Sequence, residues 1–104
     1  DAVQLGGLFD GVLRWILASR GFGRLVATPG IIREIPAEEV LLALTRHAQG
    51  DWGEVDAEDR KANDNALRQG TRLVSAYTSL AVTRFWIITE ADRSSTCILL
   101  PEEY

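Results

Sequence analysis

A chain of 104 residues, 46% hydrophobic and 25% charged, has the size and balance of one soluble domain with its own core, which excludes a disordered or fibrous protein. One cysteine, Cys97, and one histidine, His47, exclude an internal disulfide and leave too few soft ligands for a typical zinc site, so no metal or cofactor is expected and a reducing cytoplasm fits best. The net charge of −4 argues against a protein that holds nucleic acid by charge alone, although the signs are uneven: six of the fifteen acids fall between Asp51 and Asp64, whereas Gly70 to Arg84 carries only Arg72 and Arg84.

Leu8, Phe9, Val12, Leu13, Ile16 and Leu17 recur with helical spacing and Asp10, Arg14 and Ser19 fall on the other side, so residues 8–19 are expected to form an amphipathic helix that Gly21 and Gly23 end. The segment is too short and too charged to span a bilayer. "RLVATPG" (24–30) reads as a short strand stopped by a Pro29-Gly30 turn. Pro36, Glu38 and Glu39 then suit the first turn of a helix over about 36–48, with Val40, Leu41, Leu44 and Ala48 in one stripe and Gly50 as the stop.

Trp52 sits in a polar joint, "GDWGEVDAEDR". Asp56 followed by Asp59 resembles a capping box with Asp in place of Glu, and predicts a second helix over about 57–69, closed by Gly70 and apolar only at Ala62, Ala66 and Leu67. That helix should be partly exposed. The last third changes period: "TRLVSAYT", "RFWIITEA" and "STCILL" are rich in β-branched and aromatic residues and read as an antiparallel meander. The first link, "TSLAVTRFW", has no glycine where a tight hairpin is expected, so it should be looser. In the middle strand Phe85 and Ile87 point one way and Trp86 and Ile88 the other, so each face needs a cover. The expected fold is α+β in one domain, with a helical extension over 1–23 and a core over 24–104 of one strand, two helices and three antiparallel strands.

Few residue groups point to chemistry. His47, Asp51, Glu54, Asp56 and Asp59 have the composition of a metal cluster but not the spacing of a calcium loop, and acids at a helix start are favoured electrostatically, so a solvated face explains them. His47 reads as a dipole partner at a helix C-terminus or a half-buried side chain. Ser75, Ser94, Ser95 and Cys97 lack the signature of a nucleophile, and Cys97 in "TCILL" reads as a small buried hydrophobe. Asp92 and Ser94 are turn formers between the last two strands, with Glu90 and Arg93 beside them as candidate contacts at the tip. Arg72, Tyr77, Arg84, Trp86 and Arg93 make the one arrangement similar to a nucleic-acid platform. The candidate binding residues are therefore Arg72, Arg84, Trp86, Glu90 and Arg93, with no catalytic or metal residue.

The stretches "RLVATPG", "RHAQGDWGEVDAEDRKANDNAL", "RLVSAY" and "FWIITEADRSSTCILLPEEY" resemble a family of short bacterial proteins carried on plasmids and other mobile elements, over roughly residues 24–104. That resemblance implies no established activity. The order of strand, two helices and three strands is also similar to RelE-like and ParE-like toxins, which are typically basic, whereas this chain is acidic. The expectation is a non-enzymatic interaction module, homodimeric through its sheet surface and N-terminal helix or bound to another protein. The alternative is a toxin-like protein that binds or cleaves RNA through Arg72, Arg84, Arg93 and Trp86.

Overall fold

The computed structural model describes residues 3–4 and 23–104, so the helix expected over 8–19 lies outside the described residues. Strand β1 (Val3–Gln4) pairs antiparallel with β2 (Arg24–Ala27). Helices α1 (Pro29–Glu34), α2 (Ala37–Ala48) and α3 (Ala57–Gln69) follow, then strands β3 (Leu73–Thr78), β4 (Arg84–Thr89) and β5 (Ser95–Leu99) and a 3-10 turn, Pro101–Glu103. The sheet order is β1-β2-β5-β4-β3.

The three final strands pair antiparallel, as their β-branched and aromatic runs and short links predict, but they do not stand alone. β2 joins the far side of β5 in parallel, with Leu25 opposite Thr96 and Ala27 opposite Ile98. The sheet is thus mixed, not a three-stranded meander. Parallel neighbours require a long crossover, and here everything from α1 to β4 is that crossover. A second correction concerns Pro29-Gly30, which opens α1 and does not form a turn. Proline lacks the N–H that a first helical turn leaves unpaired, and its fixed φ suits that position. Gly30 is small for a separate reason: a Cβ there would lie 2.6 Å from Leu100 Cδ1 and 2.7 Å from Glu103 Oε2.

α2 and α3 form close to where capping and charge place them. Glu38 and Glu39 occupy the first turn of α2, and Arg46 and His47 its last. Asp56 caps α3 by accepting from the Asp59 amide at 2.7 Å, and Gly70 ends it at φ 70°. The buried face of the sheet presents Leu25, Ala27, Tyr77, Phe85, Ile87 and Ile98 to Ile31, Ile35, Val40, Ala43, Leu44 and Ala48 of α1, its C-terminal boundary and α2. α3 lies instead along the β3 edge. There Trp52, Ala66 and Leu73 form a second small core with Val55.

That edge is closed by polar bonds. The Asn63 side chain donates to the Val74 carbonyl at 2.7 Å and accepts from the Val74 amide at 3.0 Å. Two residues on, the Ala76 amide donates to the Trp52 carbonyl and the Glu54 amide to the Ala76 carbonyl. Gly53 permits this approach, since it adopts φ 72° and a Cβ there would run into the Ala76 carbonyl oxygen and the Tyr77 ring. An open edge strand is a template for unwanted pairing; here side chain and loop occupy it.

Candidate functional site

The two faces of β3 and β4 carry different chemistry because side chains alternate along a strand. On the covered face a polar chain crosses the apolar core. His47 is fully buried, which corrects the half-buried placement, and its Nδ1 lies 2.5 Å from Ser75 Oγ and its Nε2 2.9 Å from Thr89 Oγ1. Thr89 Oγ1 in turn lies 2.8 Å from Thr96 Oγ1. All three hydroxyl residues are fully buried, and the Trp52 ring stands edge-on to His47 at 5.5 Å. Both ring nitrogens are occupied by neighbours in the core. The group is a satisfied structural network, since a buried polar atom without a partner is what costs stability.

The opposite face holds a groove of about 620 Å³. Its floor is Val74, Ala76, Trp86 and Ile88, and Tyr104 stands beside it with its ring edge-on to Trp86 at 5.8 Å. Tyr104 is 69% exposed. Arg72 and Arg84 line the groove, and so do Glu54, Asp56 and Asp59 from the start of α3 and the joint before it. The Arg72 guanidinium lies over the Tyr104 ring, 5.7 Å from its centroid. Arg84 Nη1 comes within 3.9 Å of Glu54 Oε1, a long, exposed pair that contributes little. The same Glu54 oxygen accepts from Thr78 Oγ1 at 2.9 Å.

The structure therefore brings Arg72, Arg84 and Trp86 together and leaves Glu90 and Arg93 elsewhere. Both of the latter belong to the β4–β5 turn, where the Glu90 amide donates to the Ser95 carbonyl and the Arg93 amide to the Glu90 carbonyl. The Arg93 guanidinium donates to the carbonyls of Thr71, Ala66 and Glu90 at 2.7, 3.1 and 3.1 Å. It ties the turn to the C-terminal end of α3, where a cation suits the dipole. Asp92 accepts from the Ser94 amide at 2.9 Å, and its bonds to Ser94 hold the carboxyl below the usual carboxylate value. The charged knot of the final hairpin is a turn.

Sequence reasoning did not include Tyr104 or the acidic wall in the site. Tyr104 follows a helical turn whose direction the strand pattern leaves open. Glu54 and Asp56 were legible as an acidic face, but their place in the same groove as the arginines depends on α3 lying against β3. Among the described residues no group of three or more metal-ligating side chains converges. Cys97 is half-buried, and burial first and then Glu103 and Glu90 push its thiol up, away from the reactive form. Comparison with protein-family models, with curated proteins and with solved structures returns no match.

Proposed function

We propose that this chain is a non-enzymatic protein-interaction module of a mobile element, working in the cytoplasm, and that the groove over Trp86 receives a segment of another protein. The observation that carries this reading is that charges of both signs, Arg72 and Arg84 with Glu54, Asp56 and Asp59, line one groove around an aromatic and aliphatic floor. A segment with apolar side chains along its centre and charges of both signs at its margins meets complementary chemistry in such a groove. The seclusion of His47 and its hydroxyl partners in the core supports the non-enzymatic part, because they cannot meet a ligand in the groove.

The convergence of Arg72, Arg84 and Trp86 favours a second reading, RNA binding of the RelE or ParE kind. Binding a phosphate backbone requires several cations with few anions near them, and three carboxylates share this groove. The protein-segment reading is therefore preferred. Selection of a displayed random-peptide library against the full chain, followed by anisotropy titration of the enriched peptides, tests it. Enriched sequences should carry both charge signs around apolar residues, and Trp86→Ala should weaken them roughly 30-fold or more, the mark of a central anchor. Enrichment that ignores Trp86→Ala, or tight binding of a fluorescent single-stranded RNA abolished by Arg72→Glu, would overturn it.

A further inference from the structure

The link between β3 and β4 is a tight hairpin, where the sequence suggested a looser one. The Ser79 amide donates to the Thr83 carbonyl and the Val82 amide to the Ser79 carbonyl, both at 2.9 Å, and the Thr83 amide donates to Ser79 Oγ at 3.0 Å. This geometry needs a left-handed residue before the second strand, a place that glycine usually fills. Val82 fills it instead, at φ 64°. A β-branched residue is strained there. The same tip exposes 90% of Leu80 and 81% of Val82, and Leu42 on α2 is 64% exposed.

Beside Leu80 lies a depression of about 170 Å³, with Ala43, Tyr77 and Phe85 as its apolar base. It opens to solvent, and its volume is comparable to that of an aliphatic side chain. A projecting leucine and a hole of its size thus adjoin on one surface. Two-fold pairing requires that arrangement, because each copy must offer both the knob and the hole. The rim adds a charge argument: Glu39 and Arg46 flank the depression, seven residues apart on α2. Glu39 Oε1 accepts from the Leu80 amide at 2.7 Å, while Arg46 is held by Asp51 at 2.7 Å and lies over the Tyr77 ring. Antiparallel apposition of two α2 helices sets each Glu39 near the other copy's Arg46.

We propose that the chain forms a two-fold homodimer through this patch, with Leu80 of each copy seated in the depression beside Leu42 of the other. The interface differs from the one expected from sequence, which used the sheet faces and residues 8–19. It leaves the Trp86 groove free on both copies. Light scattering of the intact chain at micromolar concentration should give twice the chain mass of 11.5 kDa. Leu80→Glu should raise the dimer dissociation constant roughly 30-fold or more, as for a central anchor, with an unchanged circular dichroism spectrum because that side chain is exposed in one copy. Leu42→Glu should act in the same direction, and Trp86→Ala should leave the mass doubled. An intact chain that scatters as a monomer, or a dimer that survives both Leu80→Glu and Leu42→Glu, would overturn the pairing.

Discussion

The two faces of one sheet, built from alternate residues of the same strands, use polarity in opposite ways. On the covered face Ser75, Thr89 and Thr96 are fully buried and bonded to His47 or to each other, so their polarity is consumed by the fold. Across the sheet Arg72 is exposed and has no ion pair with a described residue, and Arg84 reaches Glu54 only at 3.9 Å. A closed network fixes one packing, whereas charges with capacity left over can recognise something else. Substitutions on the two faces should therefore divide cleanly between stability and binding.

The largest effect should come from removing the centre of the covered network. His47→Ala leaves a cavity beneath α2 and takes one hydrogen-bond partner from each of Ser75 and Thr89, for a loss of about 3 to 5 kcal/mol from the two causes together. Chemical denaturation measures it. A loss well under 1 kcal/mol would mean that the network is not the structural element described above.

Next comes the edge that separates the faces. Asn63→Leu keeps α3 helical but removes both bonds to Val74, which should cost about 2 to 3 kcal/mol. It also exposes part of the β3 edge, so the variant should aggregate more readily on heating. Turbidity against temperature, compared with Ala62→Leu on the exposed side of the same helix, separates edge exposure from added hydrophobicity.

How far these features could be read from the chain follows from the range of the forces involved. The helices over 37–48 and 57–69 and the three last strands were legible because caps, end charges and runs of β-branched and aromatic residues leave their mark over a few residues. The parallel docking of β2 on β5 was not, since strand partners 71 residues apart, Arg24 and Ser95, leave no local mark. Pro29-Gly30 was ambiguous in a specific way: the same pair that makes a turn also opens a helix, and the choice rests on Glu103, whose carboxylate takes bonds from the Thr28 hydroxyl and the Gly30 amide. The site was half legible. Arg72, Arg84 and Trp86 stood out by type and spacing, but Arg93 looked like their companion and is spent on three carbonyls.

Glu103 also gives the comparison a pH axis. The Thr28 hydroxyl bond first, with help from the Leu100 and Gly30 amides and the Arg33 charge, holds its carboxyl below the ordinary value of 4.5. A depressed folded value means that the contribution is complete above the unfolded value and is lost as pH falls through the folded one. Glu103→Gln should cost about 1 to 2 kcal/mol near neutral pH. The gap from the parent should close progressively below pH 4.5. Denaturation midpoints at a series of pH values check this, and a gap that widens on acidification would reverse the assigned sign. Peptide binding in the groove at neutral pH should not change, because Glu103 faces α1.

The smallest expected effect on stability is the most informative one for function. Arg72 precedes β3, and its guanidinium lies over the exposed Tyr104 ring. An exposed cation on an aromatic face stabilises little, and surface substitutions away from caps and cores usually stay within about 0.5 kcal/mol, so Arg72→Ala should leave the denaturation midpoint almost unchanged. Binding of a mixed-charge peptide in the groove should fall, since one of the two arginines that line it has gone. Arg72→Lys separates the contributions: it keeps the charge but loses the planar stacking on Tyr104, so recovery by lysine identifies a charge contact and failure to recover identifies a stacked one. If Arg72→Ala instead destabilised the protein as much as His47→Ala does, the contrast between a structural face and a recognising face would fail, because the outer arginine would then be part of the fold.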